Sequence, residues 1–368
     1  MEKEIFYIAD FGGLCMKRKD YKKQKNKSSG KRLALKVSLF FTLSLFLVGA
    51  AYAVSLQKKA ENAAVRAYEA VPDSPKKAEV REVKVEPAQD NVSILFIGVD
   101  DSEKRQQGDS NSRSDALLFA TLNQKNKSVK LVSIPRDSYV YIPKKGYRDK
   151  ITHAHAFGGT SATIDTIEEL FDVPVDYYVK MNFNAFIDVV DALGGIDVEV
   201  PYNRLEKDEN DKNTIQLKKG PQHLDGRHAL ALARTRKLDT DIDRGKRQQM
   251  ILQAIMKEAI SVKSITKYGD VIDAVGDNMK TNMTFDDMKS FFEYAKGGMP
   301  QVDTISLKGY DDMSTGTYFF KLDETELSEV KHLLKAHLGL IPDSSQLTDG
   351  GSSITGSADN ALENSLNN

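Results

Sequence analysis

The sequence predicts an α/β protein: a layered α-β-α domain on a mixed central sheet, preceded by one transmembrane helix. Three observations carry this. One apolar run, "LALKVSLFFTLSLFLVGAAYAVSL" at 33–56, is long enough to cross the roughly 30 Å hydrocarbon core of a bilayer as a helix. Beyond it, short β-branched apolar runs alternate with stretches of helical periodicity. Helices covering the faces of a sheet are the stable arrangement for such an alternation.

Residues 1–32 form a basic segment whose block "MKRKDYKKQKNKSSGKR" ends directly before the apolar run. By the positive-inside rule this end stays in the cytoplasm and everything after the run faces outward. A cleaved signal peptide is the competing reading, but the run exceeds the usual length of such a segment. Met16 opens the basic block, which leaves residues 1–15 as a candidate upstream extension. Residues 57–90 begin helix-compatible, "QKKAENAAVRAYEA", and are then broken by Pro72, Pro75 and Pro87, the pattern of an extracellular stalk or linker. The main domain is expected over 91–340, followed by a Ser-, Gly-, Asp- and Asn-rich tail at 341–368 that reads as disordered.

Within the domain, "VSILFIGV" (92–99), "DALLFATL" (115–122) and "VKLVSIP" (129–135) read as strands joined by polar turns. "SATIDTIEELF" (161–171) reads as a helix with Ser161 as its N-cap. A strand at "VDYYVKM", a helix at "FNAFIDVVDAL" closed by Gly194 and Gly195, and a strand at "IDVEVP" follow. A helix is expected from Asp243 to Ile260, then helices near 284–297 and 323–338 around a strand at 303–308.

A net charge of −1 over 368 residues argues against a general nucleic-acid binder, whose affinity rests on summed phosphate neutralisation. The one cysteine, Cys15, excludes a disulfide framework and a cysteine-based zinc site. No P-loop, dinucleotide fingerprint or Gly-x-Ser-x-Gly elbow is present.

Against this neutral background, "ARTRKLDTDIDRGKRQQ" (233–249) is dense in cations. Two readings compete: Asp239, Asp241 and Asp243 neutralise a solvated face, or the arginines hold a bound phosphate. Arg244 and Gln248 lie four apart on one helix face, near a helix start where free N–H groups also favour anions. Arg234 and Arg236 share a side only if the chain there is extended. Further polar groups fall at strand ends: Asp100 after the first strand, Arg113 and Asp115 at the second, Arg136 and Asp137 after the third. Strand ends are where open α/β sheets meet ligands, and paired carboxylates there can hold a hard cation; the plainer reading is turn capping or pairing with Arg113. "RDKITHAHAFGG" (148–159) adds Lys150, His153 and His155, but no third ligand for zinc.

These blocks, taken in order, resemble the LytR-CpsA-Psr family of bacterial cell-envelope proteins. The resemblance rests on "NVSILFIGVD", "RSDALLFATL", "LVSIPRDSYV", "KITHAHAFGG", "FIDVVDALGGIDVEVP", "LKKGPQHLDGRHALALARTR" and "DRGKRQQMI", and is strongest over 91–260. It implies a membrane-anchored, metal-dependent phosphotransferase that moves a glycopolymer (wall teichoic acid, capsule or a related polysaccharide) from a polyprenyl-pyrophosphate carrier to peptidoglycan. It implies Mg²⁺, or secondarily Mn²⁺, on Asp100 and Asp115. Arg113, Arg136, Lys150, Arg234, Arg236, Arg244 and Gln248 would hold the pyrophosphate, with Arg113, Arg136, Asp137 and Arg244 nearest the chemistry. The lipid is expected in a long apolar cavity that composition does not reveal. Where many relatives place a second arginine, four residues after Arg136, this chain has Val140. The family also admits a membrane-bound transcriptional regulator, and the same site could run as a pyrophosphate hydrolase. Residues 1–32 are too short and polar to form a DNA-reading domain.

Overall fold

The computed structural model describes residues 18–72, 74–81, 84–99, 112–209, 212–235, 241–260, 272–274, 276, 279–295, 298 and 300–342. The chain divides into two compact units, with the break after Lys58. The expected tail from residue 343 onward lies outside the described residues, as do Asp100 and Arg236.

The first unit is dominated by α1 (Arg18–Ala67), a helix of 50 residues whose last turns belong to the second unit. It is longer than the apolar run at 33–56 because the Lys- and Arg-rich sequence before the run and the Ala- and Lys-rich sequence after it are made mostly of good helix formers. Within Phe40–Ala67 a window of 18 residues has a mean hydropathy of 1.7, and the helix has the length to cross a membrane. Phe40, Phe41 and Phe46 are all more than 70% exposed, which for aromatic side chains on a satisfied helical backbone calls for an apolar solvent.

The second unit holds the sheet. Its order is β11 (Met279–Thr281), β6 (Tyr177–Met181), β1 (Val92–Val99), β2 (Ser114–Asn123), β3 (Ser128–Ser133), β12 (Gln301–Ser306), numbered along the chain. β1, β2 and β3 form an antiparallel meander, and parallel partners β6 and β12 flank it, so the sheet is mixed as expected. Its strands read as unbroken apolar runs because both faces are covered. Leu95, Ile97, Leu117, Phe119, Val132 and Tyr178 face one core, with α3 (Thr152–Phe171) and α8 (Glu324–Leu338) over it. Ile94, Leu118, Leu131 and Val179 face the other, which packs against α7 (Phe285–Ala295) and Leu252 of α6 (Asp241–Ile260).

A third core joins α6 to α4 (Phe183–Leu193), α5 (Gly226–Arg234) and two small ribbons. The ribbons are β7 (Ile196–Val200) with β10 (Gly220–Leu224), and β8 (Arg204–Lys207) with β9 (Asn213–Leu217). α4 begins where Asn182 accepts from the Ala185 N–H and ends at Gly194, whose φ of 89° suits a residue without a Cβ. Two hairpins stand apart from the central sheet: β4 (Tyr139–Ile142) with β5 (Tyr147–Lys150), and β13 (Gly309–Asp312) with β14 (Phe319–Leu322).

Two expectations need correction. The helix expected at 161–171 is the second half of α3, which begins at Thr152 and breaks at Gly158–Gly159, where φ and ψ leave the helical region; its end at Phe171 is as expected, but Ser161 lies inside its first turn and is not the N-cap. The segment 57–90, expected as a stalk, packs into the domain from Lys59 onward. Ala63, Ala64 and Ala67 are buried, and Tyr68 bridges to Thr281. After α2 (Pro75–Val80), Arg81 donates to both carboxylate oxygens of the buried Asp176, at 3.0 and 2.8 Å. The same carboxylate accepts the Ser93 N–H at 2.9 Å, which ties this segment to β1. A fork-to-carboxylate pair buried in this way fixes geometry more than it adds stability.

Candidate functional site

Between one face of the sheet and helices α4, α5 and α6 lies a cavity of about 560 Å³. Phe96 and Leu118 form its floor from β1 and β2. Phe183 and Phe186 of α4, Leu230 of α5, and Ile251 and Ile255 of α6 enclose its apolar length. At one end the lining changes character. Arg113, Asp115 and Arg136 arrive from the sheet, and Arg234, Arg244 and Gln248 from the two helices. Six of the residues singled out in the sequence, from four separate segments, therefore line one cavity.

The local fold explains each placement. β1 ends at a register irregularity between Gly98 and Val99, opposite Ser114, and this brings the start of β2 to the cavity rim. Arg113, just before β2, is exposed, and Asp115 is half-buried. Arg136 stands in the turn after β3, and the start of α3 clamps that turn. The Thr152 N–H donates to the Arg136 carbonyl at 3.1 Å, and the Thr152 hydroxyl donates to the Ser114 carbonyl at 2.7 Å. One threonine thus sets the spacing between two site-bearing segments. Arg136 makes an ion pair with Asp115.

From the helical side, Arg234 is the last residue of α5. Its guanidinium lies 4.2 Å from the Phe183 ring centroid and donates to the Asp208 carbonyl at 3.1 Å. Arg244 and Gln248 do share a face of α6, as their spacing predicts. Arg244 is only 4% exposed. Arg247, one residue before Gln248, has a different job. It donates to the Leu232 carbonyl at 3.1 Å and the Thr235 carbonyl at 2.8 Å, holding the end of α5 against α6. A cation on the last carbonyls of a helix is well matched to the helix dipole.

α6 comes unusually close to the sheet in its first turn. A Cβ added at Gly245 would overlap Ser133 Oγ at the end of β3. Gly245→Val should therefore lift this turn, carrying Arg244 and Gln248 away from the sheet-borne groups. Thermal melting together with titration of an apolar ligand bearing a diphosphate should show anion binding lost beyond any fall in stability; unchanged binding would refute this account of Gly245.

Two predicted residues are not in the wall. Asp137 and Lys150 lie behind Arg136: Lys150 Nζ is 2.9 Å from Asp137, whose carboxylate is 3.6 Å from Arg136 Nε. Val140 points into the core, so the position where many relatives have an arginine adds nothing to the cavity here. His153 bonds to Asp149 at 2.8 Å and the fully buried His155 to the Ser112 carbonyl at 2.8 Å, which places both in structural roles. The solvated-face reading of 233–249 holds for Lys246, exposed and paired with Asp243 at 3.2 Å, while Lys237 lies outside the described residues.

Electrostatically the polar end is made for an anion. Five cations, Arg113, Arg136, Lys207, Arg234 and Arg244, face two carboxylates, Asp115 and Glu206. Glu206 is already held by Arg204 at 3.0 Å and the Thr235 hydroxyl at 2.6 Å. Among the described residues no group of three acids or histidines could cage a metal. Asp115 does supply a hard oxygen donor where β1 ends, which suits a cation that completes its shell with phosphate oxygens and water.

The sequence did not single out the apolar walls, Glu206, Lys207 or Thr235. A phenylalanine or leucine lining a cavity has the same sequence signature as one filling a core.

The profile of the LytR_cpsA_psr family matches residues 54–336. The polyisoprenyl-teichoic acid–peptidoglycan teichoic acid transferase TagT of Bacillus subtilis is 43% identical over 257 residues, covering 69% of this chain and 79% of that protein. TagU of the same organism is 37% identical over 317 residues, covering 85% of this chain and 99% of that one. Among solved structures, TagT bound to LI-WTA matches with a TM-score of 0.62 at 40% identity, over 73% of this chain and 97% of that one. The family protein YwtF (TagT) with bound octaprenyl pyrophosphate lipid matches at 0.58 and 38% identity, over 73% and 97%. With a profile match over most of its length and relatives this similar, the chain belongs to the LytR_cpsA_psr family.

Proposed function

We propose that this protein is a membrane-anchored phosphotransferase that moves an anionic glycopolymer from a polyprenyl-pyrophosphate carrier to peptidoglycan. The observation that carries the reading is the two-part cavity. An apolar channel walled by α4, α5, α6 and the sheet opens onto clustered guanidiniums, so one ligand with an apolar tail and a diphosphate head satisfies both ends. Relatives named as teichoic acid transferases, and one solved with an octaprenyl pyrophosphate lipid, support it.

In the reaction, an acceptor hydroxyl attacks the phosphorus that carries the glycopolymer. The bond from that phosphorus to the bridging oxygen breaks, a phosphodiester forms, polyprenyl phosphate leaves, and the hydroxyl proton is released. Charge builds on the phosphoryl oxygens and the leaving phosphate, where Arg113, Arg136, Arg234 and Arg244 neutralise it. Gln248 orients the head group from the same helix face as Arg244. Asp137 and Lys150 act as positioning residues that hold Arg136 from behind. We assign Asp115, together with Asp100, as the ligands of one Mg²⁺, with Mn²⁺ as a substitute. When bound, the cation adds charge neutralisation at the diphosphate.

The free energy of transfer resides in the activated donor, so no nucleotide is needed outside the membrane. The purified domain, given lipid-linked polymer and peptidoglycan, should yield polymer attached to peptidoglycan; polyprenyl phosphate with free polymer alone would mark a hydrolase instead.

The topology follows from the cationic block before the spanning helix: N-terminus in the cytoplasm, catalytic domain outside. A phosphatase reporter fused after residue 340 should be active only on the outer side. Activity confined to the cytoplasm would reverse the topology and remove access to peptidoglycan.

A further inference from the structure

A second recess of about 500 Å³ lies between the β4–β5 and β13–β14 hairpins and helices α3 and α8. Its character differs from that of the lipid cavity. Its rim carries Tyr141 and Tyr310, 40% and 60% exposed, and Tyr139, less exposed, lines it too with its ring edge-on to Phe319. Three cations in its walls, Arg148, Lys321 and Lys331, are balanced by three carboxylates, Glu169, Asp323 and Glu324. Lys321 is further held by Asp312 at 2.7 Å. A polyanion would find no excess of positive charge here, and an apolar chain would desolvate six charged groups. A polyhydroxylated, amide-bearing sugar chain suits both features: its apolar ring faces lie on tyrosines, and its hydroxyls and amides reach charged donors and acceptors.

Position supports the same occupant. β4 runs directly from the Arg136 turn, so Tyr139 and Tyr141 stand three and five residues from a group that lines the lipid cavity. At strand spacing, that puts Tyr141 within about 17 Å of Arg136 along the chain. The Phe320 N–H, beside Lys321 in the recess wall, donates to the Asp137 carbonyl at 2.9 Å, which joins the second hairpin to the same turn.

We propose that this recess is the subsite for the acceptor glycan, holding a sugar strand whose free hydroxyl reaches the diphosphate past Arg136. The assignment deepens the transferase reading and rests on it for the word acceptor, but glycan binding itself can be measured without any transfer. The probe is a set of soluble, uncrosslinked peptidoglycan glycan strands, titrated by calorimetry against full-length protein in detergent with no donor present. Tyr141→Ala combined with Tyr310→Ala should weaken strand binding about tenfold, the effect of losing two stacking contacts. Affinity for polyprenyl pyrophosphate should stay within about twofold of wild type, because neither tyrosine touches that cavity. Tyr141→Phe with Tyr310→Phe keeps the rings and should bind strands nearly as wild type, which controls for folding. In a transfer assay the alanine pair should raise acceptor KM and leave kcat at saturating acceptor unchanged. Equal strand affinity in wild type and the alanine pair, or no strand binding by wild type, overturns the subsite. Strand binding that is lost in the alanine pair, in a wild type that transfers nothing, would keep the subsite and sink the transferase reading.

Discussion

Arg244→Ala should weaken binding of a polyprenyl pyrophosphate by about tenfold to a hundredfold while the domain stays folded. Arg244 is 4% exposed and sits in the first turns of α6, facing the anion end of the cavity together with Gln248. A charge-assisted contact to phosphate contributes about 1.5–3 kcal/mol, which sets the size of the loss. Folding should survive because the helix is held to α5 through another residue, Arg247, which bonds the Leu232 and Thr235 carbonyls. The pair therefore makes a contrast. Arg247→Ala should lower the melting temperature, since it strands two carbonyls at a helix end, whereas Arg244→Ala should chiefly lower affinity. Arg244→Lys keeps the charge but not the fork, and should fall between the alanine variant and wild type. Lipid binding followed by fluorescence, with circular dichroism as the folding control, reads all three. Wild-type affinity in the Arg244→Ala protein would return the arginine cluster to a solvated, structural face.

That contrast marks how far this chain can be read without its structure. The sheet was legible because its strands are covered on both faces: "VSILFIGV" and "DALLFATL" leave no polar side to confuse with a helix. α4 was legible to the residue, since Asn182 and Gly194 bound it chemically. The cation cluster was legible as well, because density of like charge in a neutral chain asks for a counter-ion. Its division of labour was not. Arg244 and Arg247 differ by three positions on one helix, and only packing against α5 decides which meets the cavity and which meets carbonyls. Asp137 and Lys150 carry the right chemistry at the right strand end, yet the β4–β5 hairpin turns them behind Arg136. The proline-broken stretch after α1 looked like a linker because its anchors are single long-range contacts, such as Arg81 to Asp176, which no local pattern announces. The cavity was invisible for a simpler reason: composition records how apolar a residue is, not whether anything fills the space beside it.

Asp115→Ala should cost more than any arginine, lowering turnover by about a hundredfold to a thousandfold, the range seen when one preorganised stabiliser of developing charge is removed. Two roles meet at this carboxylate. It is the partner of Arg136, and on the present proposal it is also an oxygen ligand for Mg²⁺ at the diphosphate. The roles predict different outcomes. If Asp115 only paired with Arg136, removing it would release that guanidinium toward the substrate, affinity for the anionic head group would rise, and a chelator would leave the wild type active. If it holds the cation, a chelator should abolish transfer by the wild type, and added Mg²⁺ should restore it. Asp115→Asn, which keeps the size but loses the charge, should then be nearly as poor as alanine, because a neutral amide is a weak ligand for a hard cation. Stability should change little in either variant, since Asp115 stands at the cavity rim and not in the packed interior of the sheet. The deciding measurement is polymer transfer in excess chelator, with the protein's metal content determined in parallel. Full transfer by metal-free protein would end the metal assignment and leave Asp115 as the residue that aims Arg136.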